Sequence, residues 1–403
     1  MNLPTISFAY LRARPFATAL NLLLLALGIA TITVLLLTTS QLEERMSRDA
    51  RSIDLVAGAK GSAMQLVLSA VFHLDAPTGN IPLADADALA RHKLVKKAIP
   101  LALGDSFRGF RIVGTNHDYP AHYGAALAAG RLWAEPMEAV VGGEVAAKTG
   151  LAPGAKFAGA HGLEGEGDAH ETTPYSVVGV LAPSGTVLDR LVLTSVESVW
   201  VVHEHAEPGA DLKKLIAEMK DAEKELTALL IQYASPLAAA MLPRQINSAS
   251  ALQAASPAYE SARLFRMLGV GVDVLRAFGA ILMLVAGLSV FIALLNALED
   301  RRYDLAVMRM LGASPAKLMG LMLAEGVALA LAGGIAGLAL GHLLTEALGW
   351  ALKAAQHVAV TGWTWNHSEW WLLALALAVG VAASLLPAGR AYRTDVAPLL
   401  AEG

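Results

Sequence analysis

Four stretches of the chain, Phe16–Thr39, Ala277–Leu298, Leu318–His342 and Trp370–Ala388, carry a single formal charge between them, at Glu325. They run 24, 22, 25 and 19 residues. As helices rising about 1.5 Å per residue they reach roughly 28 to 38 Å, against about 30 Å of bilayer hydrocarbon. A chain with four such segments cannot close as one water-soluble globule. Charged residues make up only 16% of the 403, where a soluble domain has about 25%. The deficit is confined to the four stretches, so the remainder has the charge density of protein in water. Arg12 and Arg14 precede the first stretch, as in a signal peptide. Its apolar run is longer than the roughly 7–15 residues of such a segment, and no convincing cleavage site follows, so it reads as an uncleaved anchor. Trp363, Trp365, Trp370 and Trp371 lead into the fourth stretch, as interfacial aromatics do.

Orientation follows from the short flanks. Arg12 and Arg14 lie in residues 1–15, Arg301, Arg302, Arg309 and Lys317 in residues 299–317, and Arg390 and Arg393 in residues 389–403. The competing loop 343–369 holds only Lys353. The positive-inside bias puts both termini and 299–317 in the cytoplasm and residues 40–276 outside. The expected order is a cytoplasmic segment 1–15, spans 16–39, 277–298, 318–342 and 370–388, an outer loop 343–369, and a cytoplasmic tail 389–403. The chain has no cysteine, so the outer domain has no disulfides.

Residues 40–276 read as a mixed α/β domain on helical stalks. Helix one continues past the membrane through Gln41–Arg51, and Ser256-Pro257 is an N-cap followed by an N1 proline that opens the second stalk. Between them Val95–Leu103, Arg111–Thr115, Ala139–Val141, Tyr175–Leu181 and Val199–His203 are short β-branched runs expected as strands. The spacing of Leu212, Leu215, Ile216, Met219, Leu226, Leu229 and Leu230 predicts an amphipathic helix over Asp211–Tyr233, and residues 234–256 read as a connector.

Three segments carry a family resemblance. Glu299-Asp300-Arg301-Arg302-Tyr303-Asp304-Leu305-Ala306-Val307-Met308-Arg309-Met310-Leu311-Gly312-Ala313-Ser314 follows helix two. Ala129-Gly130-Arg131, Ala139-Val140-Val141-Gly142 and Tyr175–Leu181 lie in the outer domain, and Leu386-Pro387-Ala388 with Asp395–Leu400 closes the chain. Together with the order of one span, a large outer domain and three spans, the sequence resembles the FtsX-like, MacB/LolE-type permeases of ABC transporters. The resemblance implies a four-helix membrane protein with a mixed α/β extracytoplasmic domain, in the inner membrane of a bacterium. It implies docking of 299–317 on a separate ATPase subunit, present in two copies, and pairing with a second permease chain, identical or homologous. Arg301, Arg302, Asp304, Leu305, Met308, Arg309 and Gly312 are the implied coupling residues.

The coupling segment also makes physical sense unaided. It is a short amphipathic helix in which Leu305, Met308 and Leu311 can face inward while Arg302 and Arg309 point to water or a partner. Gly312 would end it in a left-handed cap. A partner must supply the energy, because no phosphate-binding G-x-x-x-x-G-K-[ST] occurs. The nearest approach, Gly142-Gly143-Glu144-Val145-Ala146-Ala147-Lys148-Thr149, has Ala where the second glycine must let backbone amides reach phosphate. The chain is therefore read as a non-catalytic subunit that binds no cofactor itself, with ATP and Mg²⁺ used by the ATPase.

Other features are weighed as candidates. His161, Glu164, Glu166 and His170 lie in a glycine-rich acidic loop, and His203 and His205 alternate at strand spacing. Neutral imidazoles with carboxylates suit Zn²⁺, although a solvated loop with surface histidines gives the same pattern. Glu325 marks either an ion path or a carboxylate favoured by the helix N-terminus. Gly333, Gly337 and Gly341 form a stripe that permits close helix contact. The resulting expectation is a mechanotransmission permease acting on a lipoprotein, peptide or protein cargo, with membrane lipid and a periplasmic binding or adaptor protein as further partners, and no nucleic acid. Two alternatives stand beside it: an FtsX-like regulator of a cell-envelope enzyme, and a zinc-linked export or receptor module.

Overall fold

The computed structural model describes residues 9–10, 12–162, 173–203, 211–220, 223–356 and 360–393. Backbone contacts divide them into two units: one holds the chain up to Leu42 and from Leu268 onward, the other Glu43–Met267.

The first unit is helical. Pro15–Asp49, Pro257–Asp300, Pro315–Gln356 and Glu369–Tyr392 are long and apolar enough to cross a membrane. The first two, at 35 and 44 residues, are longer than the roughly 20 residues a bilayer requires. Small residues set their packing. Gly28 and Gly279 let the first two helices approach, with Met283 and Ile32 across the gap, and Gly326 and Gly380 do the same for the last two against Ser384 and Ala330. Asn21 accepts a hydrogen bond from Ser289 at 2.5 Å, a polar link between otherwise apolar faces.

The second unit is built on a mixed sheet. Its strands are β1 (Leu55–Ala59), β2 (Ile81–Pro82), β3 (Val95–Phe107), β4 (Phe110–Thr115), β5 (Leu127–Gly130), β6 (Glu138–Val141) and β7 (Lys156–Phe157). These are followed by β8 (Ala160–His161), β9 (Tyr175–Leu181), β10 (Leu191–Ser195), β11 (Glu225–Leu226), β12 (Ala228–Tyr233) and β13 (Leu252–Ala255). The main order is β13-β1-β12-β3-β4-β10-β6-β9-β5, with β7 beside β9 and β8 beside β3. Pairing is parallel for β4–β10 and β6–β9 and otherwise antiparallel. Strand β4 is buried throughout, as a central strand covered on both faces must be, whereas β9 alternates with Tyr175, Val177 and Leu181 inward. Arg108 and Gly109, both at positive φ, form the two-residue turn between β3 and β4, a geometry that matches strand twist. One apolar core gathers Leu55, Leu229, Leu242 and Trp200; a second gathers Ile112, Val141, Tyr175 and Val201.

Three sequence expectations need correction. Val199–His203 is not a strand but the end of a helix, Val196–His203, whose residues 198–202 are all buried. A helix buried over five successive residues shows no polar face there and reads as a continuous apolar run. Asp211–Tyr233 is not one helix: a helix spans only Leu212–Glu218, and Leu226, Leu229 and Leu230 lie in β11 and β12. Strand β12 sits between β1 and β3, so its leucines are buried on both faces and imitate helical spacing. The supposed connector 234–256 contains the helix Pro236–Ala249, with Ala238, Leu242 and Ile246 inward, and strand β13.

Candidate functional site

The loop between the second and third long helices folds as a separate helix, Arg302–Met310. Leu305 and Met308 turn inward and join Leu298, Leu318, Leu321, Met322, Ala388 and Ala391 in one apolar cluster. Gly312, at φ +93°, ends the helix, and the amide of Ala313 donates to the carbonyl of Met308 at 2.9 Å, closing a Schellman turn. Leu311 does not face inward as its spacing suggested. It is the C-cap, with ψ 7°, and the turn leaves it 79% exposed. The outer face thus presents Arg302, Tyr303, Asp304, Met310 and Leu311, while Arg309 is half-buried. Arg302 pairs with Glu299 at 2.7 Å.

Arg301 differs from its neighbours. It is buried, and its Nη1 donates to Glu325 Oε1 at 2.9 Å, while its guanidinium lies 3.6 Å above the Tyr10 ring. Glu325 is 1% exposed. The sole charge within a span is therefore neutralised by an arginine from the loop before it, and Arg301 is an internal strut, not a group offered to a partner. Arg14 and Asp300 form a further ion pair at this end.

The glycine stripe lies along the first helix. A Cβ at Gly333 would stand 2.6 Å from Leu25 Cδ2, at Gly337 2.6 Å from Ile29 Cβ, and at Gly341 2.6 Å from Thr33 Cβ. The three partners repeat every four residues, as the glycines do, so two i±4 rows mesh.

In the second unit His161 and His203 come together around a residue that the sequence did not single out, Asp105. The carboxylate is buried on β3, with His161 Nδ1 at 2.9 Å and His203 Nε2 at 3.9 Å from Oδ1. Glu164, Glu166, His170 and His205 lie outside the described residues. His203 ends a helix, so it does not alternate with His205 along a strand. Asp105 lies in a strand that also carries Lys96, Lys97 and Ser106, and its link to His161 is visible only once the register of β3 and β8 is known.

The comparisons with known proteins fit this architecture. The sequence profile of the MacB-like periplasmic core domain matches residues 18–225, and that of the FtsX-like permease C-terminal domain matches residues 276–396. The chain belongs to the FtsX-like ABC transporter permeases. Two solved structures are similar to it. One is the periplasmic region of MacB from Actinobacillus actinomycetemcomitans, at 13% identity over 54% of this chain and 95% of that one, with a TM-score of 0.35. The other is the extracellular domain of the noncanonic ABC-type transporter YknZ from Gram-positive bacteria, at 14% identity over 50% and 98%, with a TM-score of 0.29. No curated protein matches the chain significantly. The permease is thus a multi-pass membrane protein with a periplasmic or extracellular domain, a non-ATPase subunit of an ABC transporter, which implies an ATPase partner.

The outer-domain motifs of the permease sit where backbones meet. A Cβ at Gly130 would fall 2.1 Å from the Val178 carbonyl oxygen, and one at Gly179 2.3 Å from that of Arg131. Arg131 then clamps Glu138: its Nη1 donates to Oε2 at 2.7 Å and its Nη2 to Oε1. These bonds, with those from the amides of Ala134 and Glu135, hold the Glu138 carboxyl down at about 2. The segment that came nearest a phosphate loop has a different role. At Gly142 a Cβ would lie 2.2 Å from the Leu188 carbonyl oxygen, so carbonyls fill the place of a phosphate, and Lys148 is paired with Glu144 at 2.9 Å.

Proposed function

We propose that this permease transmits motion. A separate ATPase, in two copies, hydrolyses ATP in the cytoplasm, where both termini of the permease and residues 299–317 also lie. Its closure drives the first two long helices of two paired permease chains, and the extracytoplasmic domain acts in turn on a lipoprotein, peptide or protein cargo. The observation that carries this reading is the Arg302–Met310 helix. Its inner face is fixed by Leu305, Met308 and the Schellman turn, and the buried Arg301–Glu325 pair ties its start to the third long helix. A push on such an element moves the helices it is fastened to. Its outer face leaves Tyr303, Met310 and Leu311 exposed beside Arg302 and Asp304, an apolar patch with a charged rim of the kind that protein interfaces use.

The test is the double variant Arg302→Glu/Leu311→Asp, at two exposed positions. Loss of one central apolar anchor costs about 2 kcal/mol, roughly thirtyfold in affinity. The variant is expected to insert and fold as wild type yet fail to copurify with its ATPase or stimulate ATP hydrolysis. Wild-type complex yield and coupled rate would refute the proposal.

A further inference from the structure

We infer that Asp105, His161 and His203 form a binding site for a divalent transition-metal ion of the zinc type. Three separate elements deliver the ligands. β8 pairs with β3 so that His161 stands directly across from Asp105, and the amide of Gly162 donates to the carbonyl of Gly104 at 3.1 Å, which fixes that register. His203 is the last residue of Val196–His203, a helix held by its buried Val199, Val201 and Val202. One donor atom from each of the three side chains lies within 4.8 Å of the others.

The distances suit a metal. Bonds of about 2.0–2.1 Å to imidazole nitrogen or carboxylate oxygen set a tetrahedral edge of about 3.3 Å between ligand atoms. The observed 2.9 and 3.9 Å from Asp105 Oδ1 to the two histidines bracket that edge. The two rings lie close, with centroids 5.5 Å apart and planes inclined at 30°. Gly104 makes room for this: a Cβ there would stand 3.1 and 3.2 Å from Cε1 and Nε2 of His203. Tyr175, whose ring stands beside Asp105 around Gly159, has a buried hydroxyl with no hydrogen-bond partner among the described residues.

The donor set also selects the ion. Two imidazoles and one carboxylate favour zinc and its neighbours over Mg²⁺ or Ca²⁺, which take oxygen ligands. The carboxylate is buried, but the histidine side chains are 44% and 38% exposed, so an ion enters from solvent. Among the described residues three side chains supply ligands, one fewer than in the closed four-ligand sites that only hold a fold together. The extracytoplasmic domain would then exchange metal with its surroundings.

The experiment uses the full-length permease in detergent, stripped with chelator and titrated with Co²⁺ and then Zn²⁺. The expected result is one Co²⁺ per chain, with the visible bands of tetrahedral cobalt, displaced by one equivalent of Zn²⁺. Asp105→Asn, His161→Ala and His203→Ala should each abolish the bands and weaken Zn²⁺ binding by more than the roughly 10–100-fold that follows loss of an outer-shell partner. His92→Ala, outside the cluster, should leave both unchanged. The two half-exposed histidines carry the decision, because their metal-free variants are expected to keep the wild-type circular dichroism and unfolding temperature. No equimolar binding by the wild type, or binding that survives both histidine substitutions, would overturn the inference.

Discussion

The seam between the first and third long helices makes a prediction whose sign depends on position alone. Gly→Ala within a helix ordinarily stabilises by about 0.5–1 kcal/mol, because alanine gives up less backbone freedom on folding. At Gly337 the added methyl would meet Ile29 Cβ at 2.6 Å, with Ala26 O and Ile29 Cγ2 both at 2.9 Å. Carbon contacts rest at about 3.5–4.0 Å, so the helices must part by about 1 Å. One obstacle is a backbone carbonyl and cannot rotate aside. Overpacking of this kind costs about 1–3 kcal/mol. A gap of that size also forfeits a quarter to a half of each neighbouring contact, including those at Gly333 and Gly341. The upper part of the range applies, and the propensity gain leaves a net loss of about 1–2 kcal/mol for Gly337→Ala. Gly320, on the same helix, has nothing within 4 Å of its missing Cβ. Gly320→Ala should therefore be neutral or stabilising. Thermal unfolding of the two purified variants in one detergent reads both signs. If Gly337→Ala raises the midpoint as much as Gly320→Ala does, the close seam is wrong.

Breaking the buried ion pair by Arg301→Met or Glu325→Leu alone strands a charge and should cost about 3–5 kcal/mol, while the double replacement should recover most of it; denaturation in detergent measures the cycle. Glu138 supplies a pH dependence. Its folded carboxyl is held at about 2, below its ordinary value of 4.5, so its stabilising contribution is complete above about 4.5 and is lost as pH falls towards about 2. Glu138→Gln should remove that acid-limb contribution, as followed by fluorescence unfolding between those values. Topology is readable because the chain has no native cysteine. Ser184→Cys should react with an impermeant maleimide on whole spheroplasts and Ser314→Cys should not.

The sequence was most legible where one chemical property runs unbroken. Four stretches with one charge between them announce four helices, and Val95–Leu103, Arg111–Thr115, Ala139–Val141 and Tyr175–Leu181 all fall in strands. It was least legible where burial is complete. The helix Val196–His203 is buried from Ser198 to Val202 and strand β12 from Ala228 to Ile231, and each imitates the other's pattern. Pairings distant along the chain were invisible. Arg301 read as one of four basic loop residues, yet its partner Glu325 lies 24 positions on, inside a span. Asp105 and His161 are 56 residues apart and meet only through strand register. Leu311 was misplaced because its helix ends one residue before it, and periodicity does not survive a cap.

In the proposed mechanism the exposed edge of the Arg302–Met310 helix and its cap meets the ATPase. The most direct measurement is a site-specific crosslink in the complex, using single cysteines in this cysteine-free chain. Leu311→Cys, at an exposed position, should give a permease–ATPase product with a short bifunctional maleimide–amine reagent, and ATP-driven closure should change its yield. Ala306→Cys, at a fully buried position on the inner face, should give none. A crosslink from the inner face with none from Leu311, or no ATPase product from either, would contradict the account.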